Sequence, residues 1–181
     1  MVRRTQNKKV IKDVFLFLLK FNVLLLPFYL IIILDLNFYP LQIVFANFLA
    51  FLLKILSYEA TTSDFLLFVG KNNYPIDISR DCIGWKSTYS LFALVFASPG
   101  DTKNKLKFIG LWIPVLLVIN VLRIIITIVI GMSFGIQYME IIHAFLWEGA
   151  IIIILIGIWI IWLRKGKLNI MNIRNIYKVK F

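Results

Sequence analysis

Apolar residues in this chain fall in long unbroken runs, at 14–34, 83–97, 108–130 and 141–163. A hydrocarbon core about 30 Å thick needs roughly 20 helical residues, so three runs cross it comfortably and 83–97 does so tightly. Such runs are expected to be helices, because lipid offers backbone amides no other partner. The stretch 41–57 has a different pattern. Its apolar residues Leu41, Val44, Phe45, Phe48, Leu49, Leu52, Ile55 and Leu56 follow the i, i+3, i+4, i+7 spacing of one helix face. Gln42, Asn47, Lys54 and Ser57 lie largely off that stripe, although Phe51 and Leu53 blur it. The pattern predicts an amphipathic helix lying in the outer interface, not a fifth span. Beyond it, 65–69 is strand-like, 70–73 has the composition of a turn, and Ile76 and Ile78 alternate with polar neighbours. A short extracytoplasmic hairpin leading into the next helix follows from that order. No internal repeat or low-complexity segment is visible.

The expected fold class is therefore all-α. It is a polytopic membrane protein with about four transmembrane helices, an outer interfacial helix and a short hairpin. Composition agrees: 61% of the 181 residues are apolar, where a soluble domain has about half. The first run is longer than a signal-peptide core, carries Lys20 and precedes no small-residue cleavage site, so it is expected to be retained.

Charge orients these helices. Arg3, Arg4, Lys8, Lys9 and Lys12 precede the first run, and Lys103, Lys105 and Lys107 lie in the 98–107 loop. Arg164, Lys165, Lys167, Arg174, Lys178 and Lys180 follow the last run with no acid among them. Basic residues flanking spans mark the cytoplasmic side, and four spans put both tails and this loop there together. Five would separate the tails. The domains expected are a basic cytoplasmic tail at 1–13, one transmembrane catalytic domain at 14–163 and a second basic tail at 164–181. The net charge of +11 is thus accounted for by topology and attraction to anionic membrane lipid, with no nucleic-acid role.

Polar residues that the spans do not need are the candidates for chemistry. The single cysteine, Cys82, sits where the hairpin meets the third helix, in Arg80-Asp-Cys-Ile-Gly-Trp-Lys-Ser87. One cysteine excludes an intramolecular disulfide and a cysteine-based zinc site. Unpaired amides and the dipole at a helix N-terminus favour a thiolate, although a lone cysteine there is more often a small apolar filler. Arg123 is anomalous inside its span: a mid-span arginine costs about 2.5–3.5 kcal/mol to insert and ordinarily faces a cavity or a partner. With Asn120 and Thr127 it forms a polar stripe at i, i+3 and i+7, about 10 Å from the outer end at 130. Helix packing or snorkelling is the plainer reading. His143, the only histidine, opens the last span at the level of Cys82, with Glu140 three residues earlier to orient or charge the ring. An interfacial polar residue is the ordinary account of it. Lys86 and Glu148 are further charges expected to neutralise one another and Arg123 between helices, and Asp81 is expected to point to water.

Together a thiol, an arginine and an imidazole on three helices, all toward the outer leaflet, supply a nucleophile, an oxyanion stabiliser and a base. Acyl transfer or peptide cleavage at the outer surface is the matching reaction class.

Cys82, Gly84 and Ser87 as Cys-x-Gly-x-x-Ser, Asn120 and Arg123 as Asn-x-x-Arg, and the following helix-opening His143 resemble the exosortase/archaeosortase family of membrane transpeptidases. The resemblance covers roughly 40–165, and it departs from the family at Ile83, where the residue after the cysteine is often small and polar. It implies chemistry similar to that of sortases on a different fold, with no metal or cofactor. Its partners would be exported proteins bearing a C-terminal motif, a transmembrane helix and a basic tail. By analogy Cys82 would attack the scissile carbonyl and form a thioester, Arg123 would stabilise the oxyanion or position the substrate, and His143 would activate Cys82 or protonate the leaving amine. Gly84, Ser87, Asn120 and Glu140 would support them. The acyl group would pass to an outer-surface acceptor such as a lipid headgroup, or to water. A non-enzymatic membrane scaffold and a Cys–His membrane acyltransferase are the competing classes.

Overall fold

The structure is a computed structural model that describes residues 2–144 and 149–178, with side chains described in 11–135, 137–139, 141–142 and 149–165. It is mostly helical. Helix α1 (Val2–Ile33) and α2 (Tyr39–Ile55) lead into strands β1 (Ala60–Ser63), β2 (Leu66–Val69) and β3 (Tyr74–Asp77). A 3-10 turn (Arg80–Ile83) then precedes α3 (Trp85–Ala97), α4 (Thr102–Phe134), α5 (Ile136–Ala144) and α6 (Ile151–Lys178). Among the described residues, α1 from Ile11 and α4 are long and apolar enough to cross a membrane.

Helices α1 and α2 end alike. Leu36 N–H bonds Ile31 O (3.1 Å) and Asp35 N–H bonds Ile32 O (3.2 Å), with Asp35 at φ 48°. Tyr58 N–H bonds Leu53 O and Ser57 N–H bonds Lys54 O, each at 3.0 Å, with Ser57 at φ 66°. These are paired 6→1 and 5→2 closures around a left-handed residue, which cap the last carbonyls and turn the chain sharply.

The three strands form an antiparallel sheet in sequence order. The expected hairpin is its β2–β3 half, with the turn at 70–73. Strand β1 is an addition: Ala-Thr-Thr-Ser carries too little apolar character to announce a strand, and pairing with β2 supplies the order. Leu67 and Val69 of β2 are fully buried against Ala46, Leu49, Ala50 and Leu53 of α2 and Ile124 and Ile128 of α4. The inward face of α2 is thus Gln42, Ala46, Leu49, Ala50 and Leu53, which takes only Leu49 from the expected stripe. Its large stripe, with Leu41, Val44, Phe48 and Ile55, points outward. Alanines at 46 and 50 let the sheet approach as larger residues would not. Two off-stripe polar residues bond the sheet region: the buried Gln42 Nε2 donates to Ile78 O (3.0 Å), and the exposed Asn47 Oδ1 accepts from Thr62 Oγ1 (2.6 Å).

One expected span comes out shorter. Helix α3 has 13 residues, a length of about 20 Å, because Gly84 starts it later than the apolar run begins. Within the run 141–163, α5 is described to Ala144 and α6 from Ile151, and 145–148 lie outside the described residues. In addition, α4 runs on to Phe134, which puts Arg123 about 16 Å from its C-terminal end, not 10 Å.

A second apolar cluster lies at the opposite end of α4, where Leu91, Val95, Phe108, Ile109, Leu116, Ile158 and Trp162 meet. Asp13, Val14 and Phe17 of α1, Ser98 and Pro99, and Trp159 and Leu163 of α6 line one cleft there. The described parts of α1 and α6 nearest the two basic tails therefore share an end of the molecule with the α3–α4 loop.

Candidate functional site

The site is assembled where the sheet hands the chain to α3. Ile78 is fully buried, and it is held from two sides by its N–H to Phe65 O (3.1 Å) and its carbonyl to Gln42. Ser79 follows in extended conformation, and its carbonyl accepts Cys82 N–H (3.0 Å) to close the 3-10 turn. Gly84, at φ 83°, ends that turn and starts α3. Its carbonyl then accepts Thr88 N–H (3.2 Å) and Ser87 Oγ (2.9 Å). Cys82 is therefore in a turn ahead of α3 and not at the helix N-terminus, which corrects the expected placement; the left-handed glycine separates the two.

A residue from α4 locks this turn. Asn120 is 1% exposed, and its Nδ2 donates to Cys82 O at 2.6 Å. A Cβ on Gly84 would lie 3.0 Å from Asn120 Cγ, so glycine is required both by φ and by this close approach. Arg123 and Thr127 are buried on the same face of α4, as the stripe predicted. Thr127 Oγ1 returns to Arg123 O (2.9 Å). The Arg123 guanidinium lies within Coulombic reach of Cys82.

Beside the turn is a cleft of about 420 Å³. Asp81, Gly84, Lys86, Ser87 and Ser90 line it from the turn and α3, Asn120 and Arg123 from α4. Ile151, Ile152 and Leu155 of α6 supply an apolar wall. Cys82 is half-buried and packs against the sheet-end cluster beside Val121 and Ile125, while its neighbours Asp81 and Gly84 line the cleft. Lys86 Nζ meets Asp81 Oδ2 at 2.6 Å, and Trp85 Nε1 donates to Asp81 Oδ1 (3.2 Å). Asp81 is thus engaged by two donors where exposure to water alone was expected, and Lys86 pairs with it.

Of the expected residues, Cys82, Gly84, Ser87, Asn120 and Arg123 come together. Glu140 and His143 lie on α5, whose backbone is described and whose side chains at these two positions are not; Glu148 is outside the described residues. His143 is the penultimate residue of α5 as described, ahead of α6 in the chain. Helix α5 packs on α4, and a Cβ on Gly131 would lie 2.9 Å from Met139 Cβ. His143 is one helical turn beyond Met139. Two contributors were missed from sequence, Ser79 and Ser90. Ser79 stands three residues before the thiol, the spacing of one 3-10 turn, but nothing marked a 3-10 turn there.

Among the described residues, α1 from Ile11 and α4 have the length and apolar character of membrane spans, and α4 carries Asn120 and Arg123 into the cleft. The chain belongs to the transmembrane exosortase family, whose model matches residues 11–162 and so takes in every residue of the site. No curated protein and no solved structure matches it. Membership of that family suggests a membrane transpeptidase acting on sorting signals of exported proteins.

Proposed function

We propose that the chain is a cysteine transpeptidase that cleaves C-terminal sorting signals through a thioester on Cys82. The observation that carries this reading is the 2.6 Å bond from Asn120 to the Cys82 carbonyl, with Arg123 one turn along the same buried stripe. That bond fixes the backbone of the chain's one cysteine, and the buried Arg123 is on the helix that makes it. In the proposed reaction the Cys82 thiolate attacks the scissile carbonyl carbon, its proton passing to His143. Arg123 stabilises the oxyanion by charge. Collapse of the tetrahedral intermediate breaks the C–N bond, and His143 returns the proton to the leaving amine. An amine or hydroxyl acceptor, or water, then displaces Cys82 from the thioester.

The same reading covers topology. Four spans, with the basic end cytoplasmic and the sheet and cleft outside, fit the charge distribution, and the grouping of the α1, α6 and 98–101 segments at one end supports it. The single domain 14–163 and the two tails go with it. Cys82→Ala is expected to abolish processing of a signal-bearing partner while the protein still inserts. Unchanged processing by that variant would leave only the scaffold reading.

A further inference from the structure

Serines that begin a helical turn ordinarily fold their hydroxyl back onto a free amide of that turn. Ser79 occupies this position ahead of the 3-10 turn and makes no such bond. Its Oγ lies instead 3.5 Å from Cys82 Sγ. The neutral pair can bond in either sense, but once the thiol has lost its proton only the hydroxyl can donate. Two further contacts fix the approach. The Ser79 carbonyl holds Cys82 N–H at 3.0 Å, and the preceding Ile78 is buried with its carbonyl bonded to Gln42.

From this geometry we propose that Ser79 is a further residue of the site, whose hydroxyl donates a hydrogen bond to the Cys82 thiolate and stabilises it for attack. The catalytic consequence rests on the reading of Cys82 as nucleophile; the contact does not. A hydrogen bond to the charged form favours that form. The hydroxyl keeps its own proton throughout, so it supplies no base and needs no co-reactant. Other charged groups stand around this junction: Arg123 on α4, Asp81 paired with Lys86, and Arg80, which is tied to Asp35 (3.0 Å) and to Leu36 O (2.9 Å). Helix α2 presents the uncharged Gln42 to this junction. None of these changes when Ser79 is replaced, so a substitution there reads the hydroxyl alone.

Because the chain has one cysteine, alkylation reports on Cys82 without background. The rate of iodoacetamide alkylation against pH, on the purified full chain in detergent, is compared for native, Ser79→Ala, Ser79→Gly and Ser79→Thr proteins. Loss of the hydroxyl is expected to raise the midpoint by about one pH unit, and threonine to return it to within a few tenths. An alanine curve that superimposes on the native one overturns the proposal, as does a threonine variant shifted as far as alanine. Failure of both hydroxyl-free variants to fold also overturns it, because Ser79 would then serve the fold. Processing by Cys82→Ala is measured alongside. Its persistence sinks the nucleophile reading, whereas the alkylation curves decide the contact between Ser79 and the sulfur on their own.

Discussion

The two apolar clusters on α4 differ less in their own residues than in what borders them. At the basic end, Phe108 packs on Trp162 (ring centroids 5.2 Å apart) and on Trp112 (5.8 Å), and polar side chains there tie off the end of α3. Ser98 Oγ donates to Leu94 O (2.6 Å) and accepts from Trp159 Nε1 (2.8 Å). Lys105 Nζ donates to Phe96 O (3.1 Å), satisfying a last carbonyl of α3. At the sheet end the cluster of Leu49, Leu53, Leu67, Val69 and Ile128 is bordered by the layer of Asn120, Arg123 and Thr127. There polar side chains bond a turn and line a cleft. One end fastens helices to each other; the other keeps a strained turn in place beside open space. Buried polar groups are costly in a membrane protein, so a layer of three on one stripe, next to a cleft, points to use by a ligand.

That contrast is sharpest under substitution. His143→Ala is expected to slow processing by about 10²–10⁴, the scale of general acid–base loss, with thermal stability unmoved. Trp162→Ala, at the other end, is expected to do the reverse. It should cost about 3–5 kcal/mol of stability, seen as a lower melting temperature, while activity per folded molecule persists. Arg123→Ala should lower kcat by roughly 10²–10³, the cost of one lost oxyanion donor, without impairing insertion. Gly84→Ala acts on both properties. Its left-handed φ costs about 1–2 kcal/mol in an L-residue, and the new methyl pushes Asn120 off the Cys82 carbonyl. A Trp162→Ala protein that is stable but inactive, or an Arg123→Ala protein that is active but unfolds, would erase the distinction between the ends.

Much of this contrast was visible in the sequence, though unevenly. The stripe of Asn120, Arg123 and Thr127 was legible because helical spacing is rigid and polar residues stand out in an apolar run. The turn at 70–73 was legible from its glycine and two asparagines. The inward face of α2 was not, since hydrophobicity alone chooses the large stripe, while packing against the sheet chose Ala46 and Ala50. Cys82 was placed one turn out for a related reason: a glycine two residues after it could belong inside a helix or before one, and only its φ of 83° decides. Ser79 escaped notice because its significance lies in where one hydroxyl turns.

The central claim is that Cys82 carries the acyl group. Incubating the protein with a signal-bearing partner, quenching in acid and measuring the mass of the peptide containing Cys82 tests it directly. The expected result is an added mass equal to the acyl part of the partner, on the N-terminal side of the cleaved bond, removed by hydroxylamine and missing from Cys82→Ala protein. Complete processing with Cys82 unmodified throughout, or undiminished processing by Cys82→Ala, would contradict it.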